Sequence, residues 1–211
     1  MFTLVIGNKN LSSWSLRPWL VLKMLDEPFE ERLIDLTASD ASQQILAINP
    51  AGKVPVLHDR HLKIWDSLAI CEYLAECFPQ ARLWPKDSAE RAHARSLVAE
   101  MHSGFPLLRQ AMPMDICGSH PTPPLTPQLA REIDRILAIW NGLREQMVAE
   151  GPFLFGHFTI ADAFFAPVAT RFASYRYALS GPAADYAAHL LAMPAMQQWM
   201  AEAKSETALA N

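Results

Sequence analysis

The sequence predicts an N-terminal α/β domain with the element order βαβαββα, followed by an all-α C-terminal domain. Strand-like and helix-like patterns alternate over residues 1–78. Residues 79–87 contain two prolines and a lysine but little periodicity, which is typical of a linker. Only helical patterns follow over residues 88–211. We therefore place the domain boundaries at these residues.

The α/β domain opens with a β-α-β unit. The first strand of the domain is a short apolar run. The second helix of the domain stops at Asn49-Pro50, because the residue before a proline is disfavoured in a helix. Pro79 ends the last helix. In chain order, the predicted elements are a strand at 3–7, a helix at 18–25, a strand at 30–36, a helix at 42–48, strands at 56–58 and 62–65, and a helix at 67–78.

Capping signals divide the second domain into helices. Asp87, with an acidic residue three positions later, opens a long helix to about residue 112 that Pro106 bends or interrupts. Thr126 precedes a proline and opens a helix to about residue 150. Thr159 and Asp162 repeat the start signal before a very apolar helix, which we expect at the centre of the domain. The remaining predictions are a proline-rich connection at 113–125 and two shorter helices at 183–193 and 195–204.

Composition argues against membrane and nucleic-acid binding. No apolar run approaches the roughly 20 residues that a membrane-spanning helix needs. The chain starts without a basic leader or a small-residue cleavage site, so we expect no signal peptide and a cytoplasmic location. Lysine and arginine total 18 against 22 acidic residues, a net charge of −4, and no basic cluster could neutralise a phosphate backbone.

Metal, nucleotide and redox motifs are missing from the sequence. It has no HExxH, Walker or dinucleotide glycine motif, so we expect no metal. Cys71, Cys77 and Cys117 lack the paired spacing of zinc or redox sites, and we expect them to be free, buried thiols. No cysteine lies between Gly7 and Pro18, which disfavours a glutaredoxin-like thiol transferase.

Three segments of the first domain carry the specific signal together. They are Leu-Ser-Ser-Trp-Ser-Leu-Arg-Pro at 11–18, Gly-Lys-Val-Pro-Val-Leu at 52–57 and Asp-Ser-Leu-Ala-Ile at 66–70. On these motifs the chain resembles the cytosolic glutathione transferase superfamily, and within it the serine-using zeta-like branch, whose first motif is a serine pair followed shortly by an arginine. The resemblance covers nearly the whole chain, including the Thr-Ile-Ala-Asp at 159–162. It implies a thioredoxin-like first domain and a helical second domain.

The resemblance implies that Ser12, with Ser13 second, donates a hydrogen bond to the glutathione thiol. A free thiol with a pKa of roughly 8.5 is only about three per cent ionised at neutral pH, so the enzyme must stabilise the thiolate. A hydroxyl at a helix N-terminus supplies a charge-assisted hydrogen bond and the positive end of the helix dipole. Both serines could instead be simple helix caps. Trp14 stands where zeta-type sequences commonly carry cysteine, which bears on the isomerase activity of that branch.

The other two motifs supply the implied contacts to glutathione. Pro55 resembles the family's cis-proline, which turns the Val54 backbone toward the cysteinyl part; a trans proline at a strand start is the alternative. The Ser67 hydroxyl and nearby N–H groups can hold the γ-glutamyl carboxylate, and Asp66 can pair with its ammonium group, although an Asp-Ser helix cap would look the same. Lys53 could meet the glycyl carboxylate or be a solvated surface lysine.

The second substrate should be electrophilic and partly apolar, because it must lie beside the sulfur against the helical domain. Candidate residues for that wall are aromatic, sulfur-containing or basic. Aromatic and methionine residues at helical spacing can instead belong to the core of the domain. They are Trp14, Met101, His102, Phe105 and Arg109.

The sequence thus predicts a glutathione S-transferase that uses glutathione as a co-substrate and attacks an electrophilic carbon, a chemistry associated with detoxification. One alternative is a glutathione-dependent cis-trans isomerase resembling maleylacetoacetate isomerase, in which glutathione is not consumed. Another is a non-catalytic module that binds glutathione or a hydrophobic ligand, against which Ser12 argues because binding alone needs no activated thiol. The resemblance also implies a homodimer paired through the third and fourth helices.

Overall fold

A four-stranded mixed sheet forms the centre of the first domain in the computed structural model, which describes residues 1–209. The strand order is β2-β1-β3-β4, with β1 parallel to β2 and antiparallel to β3, and β3 antiparallel to β4. The strands are β1 (Phe2–Gly7), β2 (Phe29–Ile34), β3 (Val56–Asp59) and β4 (Leu62–Trp65). The predicted α/β fold class and order of elements are confirmed.

Residues 4–6 of strand β1 are buried on both faces of the sheet, which explains their continuous apolar sequence. Leu4 and Ile6 belong to the main core, which they share with α1 (Ser13–Met24) and α3 (Ser67–Cys77). Val5 points to the other face, where it packs with residues of α2 (Ala41–Ile48). Side chains alternate between the two faces of a strand, so helices on both sides of the sheet require an apolar residue at every position.

Helix α1 begins at Ser13, five residues before the predicted start at residue 18, and contains Pro18 in its interior. A proline inside a helix removes one backbone hydrogen bond and usually ends the helix. Here tertiary packing outweighs that preference, because α1 contacts the sheet, α3 and α7 (Ile160–Ser174), and most of its residues are buried. The earlier start makes Ser12 the N-cap and Ser13 the first residue of α1.

The second domain is helical throughout its regular structure. Helix α7 lies at its centre, with nearly every residue buried, as predicted. The Asp162 carboxylate accepts hydrogen bonds from the N–H groups of Thr159 (2.8 Å) and Leu154 (3.0 Å), and the Thr126 hydroxyl caps the helix that follows it. The other helices are α4 (Ser88–Ser103), α5 (Pro106–Ala111), α6 (Pro127–Met147), α8 (Gly181–Ala192) and α9 (Pro194–Leu209), and a short 3₁₀ turn (Pro79–Ala81) precedes them.

The predicted interruption near Pro106 occurs, and it separates α4 from α5. Gly104 and Phe105 leave the helical conformation, and Phe105 has a positive φ of 59°. The residue before a proline is disfavoured in a right-handed helix, so the chain turns there. This turn decides which residues of α4 and α5 face the first domain.

Further differences concern the exposure of the cysteines and the ends of three elements. Of the cysteines, all free, only Cys71 is buried; Cys77 and Cys117 are exposed, which corrects the expectation of three buried thiols. Strand β2 stops at Ile34 and α6 at Met147, short of the predicted residues 36 and 150, while α9 runs beyond 204. Among residues 1–209, no helix combines the length and apolarity that crossing a membrane would require.

Candidate active site

A cavity of about 250 Å³ opens where three segments of the first domain meet. The segments are the start of α1, the loop before β3 and the start of α3. Two helix N-termini therefore border the cavity, and the positive ends of their dipoles favour negatively charged ligands. The lining consists of Trp14 together with all five residues predicted to contact glutathione: Lys53, Val54, Pro55, Asp66 and Ser67.

The two serines lie at the N-terminus of α1, beside Trp14 but outside the cavity lining. The Ser12 hydroxyl caps the helix by accepting from the Ser15 N–H (3.4 Å), and it donates to the Ser15 hydroxyl (2.7 Å). The Ser15 hydroxyl also accepts from the N–H of Gly7 (3.2 Å), at the end of β1. A bond between two hydroxyls can run in either direction, so Ser15 can equally donate to Ser12 and release the Ser12 proton.

Ser13 has a different partner, Arg171 of α7, whose Nη2 donates to the Ser13 hydroxyl (3.1 Å). Burial, with a smaller contribution from Arg109, lowers the pKa of Arg171 to about 10, so its guanidinium stays charged at neutral pH. The sequence analysis missed both Ser15 and Arg171. The serine spacing of i, i+3 before a helix could have indicated Ser15, whereas nothing local relates two residues that lie 158 positions apart.

Asp66 combines a strained backbone with two roles for its carboxylate. It has φ 75° and ψ 131°, a region that side-chain-bearing residues rarely occupy. One carboxylate oxygen, Oδ1, caps α3 by accepting from the N–H groups of Leu68 (2.8 Å) and Ala69 (3.3 Å). The other, Oδ2, lies 3.1 Å from Nε2 of His102 on α4. The side chain remains 45% exposed, so Oδ2 is accessible from the cavity.

His102 is the contact of the helical domain with this carboxylate. Its ring meets Trp14 edge-on at 5.2 Å and lies 6.0 Å from the ring of Phe164. Burial is the main cause that lowers the pKa of His102, and the positive charges of Arg17 and Arg109 add to it, while Asp66 opposes the shift. The imidazole is therefore neutral at pH 7, and its Nε2–H can donate to Asp66 without forming a charged pair.

The Val54–Pro55 peptide bond is cis, as expected from the resemblance. The buried Asn49 holds this loop: its Nδ2 donates to the carbonyl of Lys53 (2.8 Å), and its Oδ1 accepts from the N–H of Ala51 (3.0 Å). The Lys53 side chain is exposed at the rim. The sequence analysis read Asn49 only as a helix stop and missed this bracing role.

Two arginines stack on Trp14. The guanidinium carbon of Arg17 lies 4.2 Å from the ring centroid, and that of Arg109 lies 4.9 Å from it. Arg109 also donates to the carbonyls of Met101 and Gly104 (3.1 Å for the latter), which anchors it to the end of α4. Burial lowers the pKa of Arg109. The region around Trp14 is therefore rich in positive charge.

Met101 and Phe105 do not face the cavity. Their side chains are 1% and 6% exposed and belong to the main core. Both side chains therefore lie in the core of the free chain, and their part in the wall for a second substrate stays a prediction. The physical reason is the orientation of α4, which turns Met101 inward and the neighbouring His102 toward Asp66. No cluster of three or more potential metal ligands occurs among residues 1–209.

Comparisons with known proteins agree with this geometry. A family model described as "Glutathione S-transferase, N-terminal domain" matches residues 11–77, and one described as "Glutathione S-transferase, C-terminal domain" matches residues 126–202. A Burkholderia gl BGR1 glutathione transferase homologue, crystallised with bound glutathione, is 26% identical, with a TM-score of 0.74 and coverage of 97% of this chain and 98% of that one.

Two curated relatives match shorter stretches. A "Probable maleylacetoacetate isomerase" of Caenorhabditis elegans is 42% identical over 93 residues, which are 44% of this chain and 42% of that protein. The "Glutathione S-transferase-like protein gedE" of Aspergillus terreus is 31% identical over 147 residues, 65% of each chain. The matches thus span less than two thirds of these relatives. The two matching family models and the fold over almost the full chain establish that this protein belongs to the glutathione S-transferase superfamily.

Proposed function

We propose that this chain is a glutathione transferase that activates the thiol of glutathione for attack on electrophilic, partly apolar small molecules. The observation that carries the proposal is the cavity, because its lining contains all five residues that the second and third motifs are predicted to contribute to glutathione binding. The polar groups of the lining suit a zwitterionic tripeptide, because they comprise a carboxylate, a hydroxyl at a helix N-terminus and a lysine at the rim.

In this proposal each part of glutathione has a partner of matching chemistry. Asp66 pairs with the γ-glutamyl ammonium, and the hydroxyl and N–H groups at Ser67 hold the γ-glutamyl carboxylate. The Val54 backbone pairs with the cysteinyl residue, and Lys53 meets the glycyl carboxylate. These contacts hold the thiol near the start of α1, so catalysis consists mainly of thiolate stabilisation and proximity.

Ser12 is the proposed thiol donor. Its Oγ already accepts from the Ser15 N–H, so its proton is available to a ligand when Ser15 reverses the bond between the two hydroxyls. Lowering the pKa of the bound thiol by about two units requires roughly 2.7 kcal/mol of preferential thiolate stabilisation. A charge-assisted hydrogen bond and the dipole of α1 can together supply this amount.

The wall for the second substrate is proposed to consist of Trp14, His102 and Arg109. All three surround the position beside the start of α1, and they provide an aromatic surface, a neutral imidazole and a cation. We further propose a cytoplasmic detoxification enzyme that forms a homodimer through α3 and α4, with domain boundaries at residues 1–78, 79–87 and 88–211.

Ultraviolet difference titration of the bound thiol tests the assignment. The wild type should show a thiol pKa well below that of free glutathione, and Ser12→Ala should return it toward the free value. Ser96→Ala, at an exposed position of α4, is the matched control and should leave the pKa unchanged. A shift that survives Ser12→Ala but not Ser13→Ala would transfer the role to Ser13. Glutathione binding with no shift in wild type would contradict the enzyme proposal and favour a binding module.

The second candidate is a glutathione-dependent isomerase, which the similarity to the Caenorhabditis elegans protein named a probable maleylacetoacetate isomerase favours. In that reaction the thiolate adds to a conjugated double bond, the bond rotates and the thiolate leaves, so glutathione is regenerated. Measuring free thiol during turnover of an electrophile and of a cis-dicarboxylic enone separates the two. Stoichiometric thiol loss identifies a transferase, and turnover without thiol loss identifies an isomerase.

A further inference from the structure

Arg17, the arginine of the first motif, is buried behind the candidate site. It is 0% exposed, and its guanidinium lies between the rings of Trp14 (4.2 Å) and Phe164 (4.4 Å). Such cation–π contacts compensate only part of the hydration that a buried cation loses. The charge therefore needs a further partner.

The guanidinium of Arg17 is hydrogen-bonded to a residue of the cavity lining. Its Nη1 donates to the hydroxyl of Ser67 (3.4 Å), which lines the cavity. Its Nε and Nη2 are buried and have no hydrogen-bond partner among the described residues. No carboxylate of residues 1–209 lies within ion-pair distance of it. An unpaired buried cation next to a ligand cavity is a costly arrangement that an anionic ligand would relieve.

The neighbouring charges add to this need. Burial and, next, the like charge of Arg109 lower the pKa of Arg17 well below its ordinary value, and Arg171 acts in the same direction. Asp66 opposes them, but its carboxylate oxygens contact the N–H groups of α3 and His102, not the Arg17 guanidinium. The site therefore retains a net positive field.

The hydrogen bond to Ser67 has a directional consequence. Because the Ser67 oxygen accepts from Arg17, which can only donate, the Ser67 proton must point to another acceptor. Ser67 is the first residue of α3, where the positive end of the helix dipole also favours a carboxylate. We propose that Arg17 is a positioning residue that orients the Ser67 hydroxyl toward the γ-glutamyl carboxylate and provides the positive charge behind it.

This inference rests on the proposed glutathione site and assigns a function to a residue outside the cavity lining. It differs from a structural role, in which Arg17 only fills the space between Trp14 and Phe164. A structural residue would affect all ligands of the cavity alike. A charge directed at one carboxylate would affect only the ligands that carry it.

Calorimetric titration of the full chain separates these roles. The ligands are glutathione and 4-aminobutyryl-cysteinylglycine, which keeps the γ-glutamyl ammonium group but lacks the adjacent carboxylate. The variants are Arg17→Met and Arg17→Lys, with Arg131→Met, at an exposed position of α6, as the matched control. We expect Arg17→Met to bind glutathione about 10- to 100-fold more weakly, the loss typical of a hydrogen bond to a charged group. It should bind the analogue as wild type does, and Arg17→Lys should restore most of the glutathione affinity.

Each result decides the matter. Equal weakening for both ligands would leave Arg17 with a structural role, and an unchanged glutathione affinity in Arg17→Met would remove any role. A bound-thiol pKa that rises in Arg17→Met at constant affinity would mean that Arg17 acts on the thiolate, which also overturns the inference. If wild type binds glutathione, these outcomes leave the proposed function intact; if it does not, both proposals fail.

Arg17→Met could fail to fold, because the position is buried. The wild type and Arg17→Lys still test the inference in that case. Wild type must then prefer glutathione to the analogue by at least about tenfold, and Arg17→Lys must retain that preference. Equal affinities of wild type for the two ligands would overturn the inference.

Discussion

The backbone of Asp66 offers a test in which the helix-favouring substitution should be the more destabilising one. Its φ of 75° suits glycine, whereas alanine is the better residue in helix interiors. We compare Asp66→Ala with Asp66→Gly. Both remove the carboxylate, and only the second removes the Cβ that makes this conformation unfavourable.

The magnitude follows from two contributions. Loss of the cap to the N–H groups of Leu68 and Ala69 should cost about 1 kcal/mol in Asp66→Ala and only a few tenths in Asp66→Gly. Release of the strained φ should return about 1–3 kcal/mol in the glycine variant. The greater freedom of glycine in the unfolded chain offsets about 0.5–1 kcal/mol of this gain. Asp66→Gly should therefore be about 1–3 kcal/mol more stable than Asp66→Ala.

Urea unfolding followed by tryptophan fluorescence, at one fixed protein concentration, measures this difference in the free energy of unfolding. Both variants should also bind glutathione more weakly than wild type, because both lack the proposed partner of the γ-glutamyl ammonium. Equal stability of the two variants, or a more stable alanine variant, would refute the reasoning about backbone strain. Tight glutathione binding by both would refute the role of the carboxylate.

Three other predictions concern buried or paired groups. Asp162→Ala leaves four buried donors without their acceptor, namely the N–H groups of Leu154 and Thr159 and the hydroxyls of Thr159 and Tyr186. It should lower the free energy of unfolding by about 3–4 kcal/mol in urea titrations, whereas Asp185→Ala, at an exposed position, should change it little. Ser15→Ala removes the partner of the proposed thiol donor and should raise the thiol pKa of bound glutathione by about one unit in ultraviolet titration. Ser96→Ala is the control, and an unchanged thiol pKa in Ser15→Ala would be the contrary result. Burial lowers the pKa of His102 below its ordinary value. The free energy of unfolding of the wild type should therefore decline as the pH falls from about 6.5 through the folded-state pKa, and more steeply than that of His102→Gln. Parallel pH profiles of the two proteins would contradict this.

The candidate site draws on both domains, although its recognised motifs all lie in the first. Arg171 of α7 donates to Ser13, and His102 of α4 meets Asp66. The α9 helix also holds the loop before the serines, since the indole N–H of Trp199 donates to the carbonyl of Lys9 (2.9 Å). In the proposed function, glutathione activation and second-substrate choice are therefore coupled by direct contacts to the same few residues. Substitutions in the helical domain can be expected to alter thiol chemistry as well as substrate preference.

The sequence alone determined the features that depend on neighbouring residues. The apolar run of β1, the helix stop at Asn49-Pro50 and the caps at Thr126 and Asp162 follow from hydrogen bonds and steric contacts within a few positions. Five residues of the cavity lining were equally predictable from the sequence, because two continuous motifs contribute them and the fold keeps each motif together. They are Lys53, Val54, Pro55, Asp66 and Ser67.

Only the tertiary structure decided the rest. Helix α1 starts at Ser13 despite Pro18, because its packing against α3 and α7 outweighs the local preference. Which residue of α4 meets Asp66, His102 rather than Met101, depends on how that helix is rotated against the first domain. The unpaired charge of Arg17 likewise appears only when α1, α3 and α7 are assembled. Local sequence encodes backbone geometry and caps, whereas burial, charge pairing and helix orientation depend on contacts between residues far apart in the chain.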